Sequence, residues 1–189
     1  MDAYHTALSL HLLSLLVLAG GIIAFGLSFW RLRSAQSGDE AAPWVRLIER
    51  AGWSFPVSIL GLVATGAYLT AHSWTWTTAW IDVSIAGLIV VTLQGPLLGG
   101  PRTTALAQAV DANGPGELGE RPLRLARDPV LWLVLLANPG VVLAIVWCMT
   151  AKPGTLAAVA AIILGYAAGA VAAFAVTRSP APRTDEARG

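Results

Sequence analysis

The run YHTALSLHLLSLLVLAGGIIAFGLSFW occupies residues 4–30 and contains no Asp, Glu, Lys or Arg. A helix needs about 20 consecutive apolar residues to cross the hydrocarbon core of a bilayer, and this run exceeds that length. Its apolar part is also longer than the core of a secretory signal peptide, which has about 7–15 residues, and no positive charge precedes it. We therefore interpret the run as a retained membrane helix.

The composition of the whole chain supports a membrane protein. Of its 189 residues, 56% are apolar and 12% are charged, whereas a soluble domain has about 25% charged residues. The lipid bilayer is therefore the expected partner of most of the surface. We expect no nucleic-acid partner, and the net charge of +1 argues nothing about one. The single cysteine, Cys148, excludes an internal disulfide and a CxxC metal or redox motif.

Four further apolar segments have the length of a membrane span, at about 53–72, 79–98, 129–150 and 154–177. They lack the alternation of a barrel strand, so helices must satisfy their backbone groups in lipid. The sequence thus predicts an all-α fold, an integral membrane bundle of five transmembrane helices within residues 1–178. Residues 179–189 have the composition of a disordered cytoplasmic tail.

The positions of the basic residues predict the orientation of the bundle. Of the 12 lysines and arginines, only Lys152 falls on the side opposite to the loops 31–52 and 99–128. Cytoplasmic loops carry the excess of Lys and Arg. We therefore predict a multi-pass protein of the inner (plasma) membrane with its N-terminus outside and its C-terminus in the cytoplasm. The first loop also predicts a short interfacial helix from Pro43 to Arg50.

The fifth segment carries a strip of small residues at every fourth position, and it includes the GxxxG pair Gly165 and Gly169. Such a strip allows another helix to approach closely. Two interpretations stay open, namely packing inside the same bundle and a homodimer through helix five.

The fourth segment contains Asn138 and Pro139 in its middle. A proline there removes a backbone hydrogen bond and predicts a helix kink. Broken helices also mark substrate sites in transporters, so a small-solute permease with its path near Asn138 is an alternative. That path would be polar from Asp82 to Gln94.

A few polar residues at membrane depth are the candidate functional residues, because each is costly to bury in lipid. His11 lies in the first segment, His72 ends the second with Tyr68 one turn before it, and Asp82 begins the third. Consecutive helices are usually neighbours, so these side chains could form one metal site. Imidazole binds copper, zinc and haem iron. The alternative is that His11 only donates a hydrogen bond to a neighbouring helix.

Two stretches carry a resemblance to a known family, YHTALSLHLLSLLVLAGGIIAFGLSFWRLR at 4–33 and TGAYLTAHSWTWTTAWIDVSIAGLIVV at 65–91. They resemble bacterial predicted integral membrane proteins of unknown function, a family distantly similar to CopD-type copper-resistance proteins and to the membrane protoporphyrinogen oxidase. The resemblance implies that His11 matches a helix-one histidine that ligates haem or copper, with His72 as a further candidate ligand.

The chain also departs from that pattern. Leu18 and Ala19 stand where a Trp often precedes the glycine pair, and no second intramembrane ligand or Lys is evident. We therefore expect a non-catalytic bundle or complex subunit rather than an enzyme. A haem- or copper-binding protein that uses His11, and a permease, are the two alternatives.

Overall fold

The computed structural model describes residues 2–179, and this part of the chain forms helices and no strands. The helices are α1 (Ala3–Ser34), α2 (Gly38–Gly52), α3 (Ser54–Ser73), α4 (Ala79–Gln94), a π-helical turn (Gly95–Gly99), α5 (Gly100–Asn113), α6 (Glu120–Ala126), α7 (Pro129–Ala151) and α8 (Thr155–Arg178). The predicted tail, apart from Ser179, lies outside the described residues.

Five of the continuous helical stretches are long and apolar enough to cross a membrane, and they contain α1, α3, α4, α7 and α8. The predicted all-α bundle of five transmembrane helices is therefore confirmed. The third span ends differently from the prediction, because α4 stops at Gln94 and a π-helical turn follows. Pro96 has no N–H to donate, which disrupts the regular pattern of backbone bonds there. The helical path then continues into α5.

The connection between the first two spans is a longer helix than predicted. Helix α2 begins at Gly38, five residues before Pro43, because the Ser37 side chain accepts a hydrogen bond from the Glu40 amide at 3.3 Å. The Glu40 carboxylate in turn accepts from the Gln36 amide at 2.9 Å. This reciprocal arrangement resembles a capping box, which starts the helix earlier than the proline alone would indicate.

The spans form two groups. Helix α1 packs along α3, whereas α4 packs against α7 and α8, and α7 and α8 pack closely against each other. The expectation that the first three spans are mutual neighbours is therefore wrong for α4. Gly87 explains its position, since a Cβ there would lie only 3.4 Å from side-chain atoms of Val141 and Ile145 on α7.

The strip of small residues on α8 faces α7 of the same chain. A Cβ added at Gly165 would collide with the carbonyl of Gly140, and one at Gly169 would collide with the carbonyl of Leu136. This close approach favours the intramolecular interpretation of the GxxxG pair. The homodimer through helix five stays a prediction, and it would need a face of α8 other than this one.

At the arginine-rich end, short helices cover the bundle with a core of their own. Buried apolar residues of α1, α2, α5 and α7 meet there, including Phe29, Val45, Leu106 and Trp132. The Trp132 indole Nε1 donates to the Ala126 carbonyl at 2.9 Å, which attaches the end of α6 to α7. The two long connections are thus packed structures that link both groups of spans.

Candidate functional site

His11 lies on α1 at its contact with α3, and only 8% of the residue is exposed. Its Nδ1 is 2.9 Å from the Thr65 hydroxyl oxygen. That hydroxyl donates to the Gly61 carbonyl at 2.5 Å. Since a hydroxyl has one proton to donate, Thr65 must accept from His11, so Nδ1 carries the imidazole proton. In the neutral imidazole, Nε2 then keeps its lone pair.

Glycines on α3 make room for this arrangement. A Cβ added at Gly66 would lie 3.4 Å from His11 Cε1, so the imidazole packs directly against this glycine. Further along the same contact, the Cβ position of Gly61 falls on the Ser14 side chain. Helices α1 and α3 are therefore close enough for Thr65 to orient the imidazole. His11 also has a backbone hydrogen-bond interaction with Leu62 of α3.

His72 belongs to a separate aromatic cluster where the start of α1 meets the end of α3. Its ring stacks on Tyr68 with centroids 5.8 Å apart, and the Tyr4 ring lies 5.6 Å away on α1. His72 follows Thr65 by seven residues, which corresponds to about 10 Å along a helix. Metal–nitrogen bonds are about 2 Å long. His72 and His11 therefore do not share one metal ion in this arrangement.

Asp82 lies in the first turn of α4, where its backbone amide donates to the Thr78 carbonyl at 3.1 Å. Because α4 packs against α7 and α8, the carboxylate is not brought to the α1–α3 contact. Among the residues that the structure describes, no group of three His, Cys, Asp or Glu side chains is placed to hold a metal ion. The side chains predicted to act together thus lie in three different surroundings.

In the group formed by α4, α7 and α8, polar side chains of α4 and α8 are in contact near the middle of α8. The Gln94 side-chain amide donates to the Tyr166 hydroxyl at 2.9 Å, joining α4 to α8. Gln94 Oε1 and Asn138 Oδ1 are buried and have no hydrogen-bond partner between residues 2 and 179. Helix α7 continues through Pro139, and a kink at that residue stays a prediction.

A groove of about 290 Å³ lies beside this pair, between α4, α7 and α8. Gly87, Val90, Val141 and Ile162 form apolar walls, and Tyr166 lines the groove with apolar atoms, since its hydroxyl accepts from Gln94. Tyr166 is a functional candidate that the sequence analysis missed. Its only signal was a single phenol within an otherwise Ala-, Gly- and Ile-rich segment. The polar path expected of a permease gains no support from these apolar walls.

The N-terminus carries one perturbed carboxylate. The His5 amide and the His5 Nδ1 both lie within hydrogen-bond distance of Asp2 Oδ1, at 2.9 and 2.6 Å. The hydrogen bond from the backbone amide is the main cause that lowers the pKa of Asp2, and the side chain of His5 adds to it. Through the hydrogen bond from the His5 amide, Asp2 is the N-cap of α1, at the start of the first span.

Comparison with known proteins identifies the family of the chain. A family model for predicted integral membrane proteins, DUF2269, matches residues 6–153. This region contains α1 to α7 and most of the residues discussed above, and the chain therefore belongs to this family. Neither the curated proteins nor the solved structures contain a match to the chain.

Proposed function

We propose that this member of the DUF2269 family is a non-catalytic bundle of the bacterial inner membrane that binds haem through His11. The observation that carries the proposal is the hydrogen-bond relay from His11 Nδ1 through Thr65 to the Gly61 carbonyl. Ligating histidines characteristically donate their second ring nitrogen to such a partner, which fixes the tautomer and the ring orientation. Nε2 is then the nitrogen that would ligate the iron.

The donor set fits haem better than a protein-bound copper ion. A haem iron receives four nitrogens from its porphyrin, so one protein imidazole is enough to hold it as an axial ligand. A copper or zinc ion bound by protein alone needs about three or four side chains. Within residues 2–179, His11 belongs to no group of three His, Cys, Asp or Glu side chains that could hold a metal ion. We therefore propose haem ligation by His11 ahead of copper binding.

The experiment is an absorption spectrum and a metal analysis of the detergent-purified protein from cells supplied with haem and copper. We expect a Soret band that disappears in His11→Ala and shifts in Thr65→Val, since the valine cannot accept from Nδ1. The matched control is His72→Ala, which removes the histidine of α3 and should leave the band unchanged. A colourless protein, or a band that survives in His11→Ala, would reject haem ligation by His11.

A purely structural role for His11 is the second candidate, because the same hydrogen bond to Thr65 joins α1 to α3. In that case the protein acts as a complex subunit or scaffold and the imidazole only stabilises helix packing. His11→Ala would then lower the stability of a colourless protein. Stoichiometric copper that is lost in both His11→Ala and His72→Ala would favour the copper alternative over both candidates.

A further inference from the structure

A charged cleft lies where α6 ends and α7 begins, at the arginine-rich end of the bundle. Its volume is about 500 Å³, and it is lined by Glu120, Leu123, Arg124, Arg127, Asp128 and Pro129. Pro129 is the first residue of α7, which the structure shows to be long and apolar enough to span a membrane. The cleft is therefore at the level where polar headgroups meet the hydrocarbon core.

The carboxylate of Asp128, which lines the cleft, already accepts hydrogen bonds and makes an ion pair. Asp128 Oδ1 accepts from the amides of Val130 and Leu131 at 2.8 and 3.0 Å, and it pairs with Arg102 Nε at 3.3 Å. It therefore caps α7 and balances the charge of Arg102. Within residues 2–179, Arg124 and Arg127 make no ion pair, and both side chains are exposed.

Arg33 adds a third positive charge behind the cleft. This residue is only 5% exposed, donates to the Ser179 carbonyl, and holds its guanidinium 5.9 Å from the centre of the Trp132 ring. Its charge interacts repulsively with that of Arg127. An anion that binds beside two neighbouring guanidinium groups offsets this repulsion. Glu120 is the one unpaired carboxylate among the lining residues.

We infer that this cleft binds the phosphate of an anionic phospholipid in the leaflet at the arginine-rich end. Arginine recognises phosphate with paired N–H groups, and basic pockets between transmembrane helices bind anionic headgroups. Leu123 and Pro129 give the cleft an apolar side, which suits the glycerol and acyl portion of a lipid better than a free inorganic ion. The ligand is thus an amphiphile with a phosphodiester head.

The test is a titration of the detergent-purified full chain with phosphatidylglycerol in mixed micelles, followed by native mass spectrometry. Phosphatidylcholine is the lipid control, since its headgroup has no net charge. The variant is Arg124→Gln with Arg127→Gln, and the matched control is Arg46→Gln with Arg50→Gln on the exposed face of α2. Circular dichroism is used to check that both variants keep their helices.

We expect the wild type to retain phosphatidylglycerol selectively, and the cleft variant to bind it about 30-fold more weakly, since each basic residue near the membrane surface contributes about fivefold. The α2 control should bind as the wild type does. An equal loss in both variants would show general surface attraction and overturn the proposal.

Two further experiments test whether something other than a lipid occupies the cleft. Inorganic phosphate at millimolar concentration should not displace the lipid, and full displacement would assign the cleft to free phosphate instead. Residues 180–189 include Asp185 and Glu186, and they follow the Ser179 carbonyl that Arg33 binds. If Asp185→Asn with Glu186→Gln strengthens lipid binding about tenfold or more, the chain's own acidic residues compete for the cleft, and the proposal of a resident lipid fails.

Discussion

The hydroxyl of Thr65 on α3 lies 2.9 Å from Nδ1 of His11 on α1, and it donates its own proton to the Gly61 carbonyl. This relay explains how a polar ring is accommodated between two apolar helices, because the imidazole N–H has an acceptor inside the bundle. It is also consistent with a glycine at position 61, where a Cβ would fall on the Ser14 side chain of α1. The same geometry serves helix packing and would orient a ligand.

Thr65→Val should remove the hydrogen bond while keeping the shape of the side chain. Interhelical hydrogen bonds in membranes contribute about 0.6 kcal/mol on average and up to about 1.7 kcal/mol. We expect Thr65→Val to lower the free energy of unfolding in detergent by an amount within this range. Thr65→Ser should keep most of the wild-type value, because it retains the hydroxyl. A double-mutant cycle with His11→Ala measures the coupling, and a coupling energy near zero would show that the two side chains do not interact.

Gly165→Ala should destabilise the α7–α8 pair. The added methyl group would meet the Gly140 backbone, which cannot move aside as a side chain can. Overpacking costs about 1–3 kcal/mol. Gly20→Ala is the matched control, because its Cβ position meets no neighbouring atom, and it should leave the stability unchanged or raise it by up to about 1 kcal/mol. Equal effects of both variants in thermal unfolding would argue against the close contact.

The fold was largely predictable because the information is local. A run such as residues 4–30 is apolar over its whole length, and no distant contact is needed to identify it as a span. The packing partners were not predictable in this way. Chain order indicated that α4 would join α1 and α3, whereas Gly87 lets it pack against Val141 and Ile145 of α7. A single glycine in an apolar segment gives little indication of which helix it faces.

The candidate site was only partly predictable for the same reason. His11 was conspicuous because it interrupts an apolar run, but Thr65 was not, since threonine is common in membrane helices. Its role depends on the register between α1 and α3, which becomes visible only when both helices are placed. The Gln94–Tyr166 hydrogen bond likewise joins residues 72 positions apart. No spacing rule connects such residues in the sequence.

The start of α1 should depend on pH through Asp2. Since the amide and side chain of His5 lower the pKa of Asp2, its charged form stabilises the first turn. This contribution is complete at pH values above the unfolded-state pKa of about 3.9, and it is lost as the pH falls through the lowered pKa. We expect the protection factors of the His5 and Thr6 amides, which compare their exchange with that of an unstructured peptide, to decrease below about pH 4. In Asp2→Asn, their protection should be nearly independent of pH over this range.

The proposed orientation places the loop after α3 outside the cell and the α5–α6 connection inside. Ser73 and Glu117 are exposed at these opposite ends, and the only cysteine, Cys148, is buried. In a Cys148→Ala background, Ser73→Cys should react with a membrane-impermeant maleimide in spheroplasts. Glu117→Cys should react only after the membrane is permeabilised, because the arginine-rich side faces the cytoplasm under the positive-inside rule. The reverse labelling pattern would invert the orientation and would move the arginine-lined cleft to the outer leaflet.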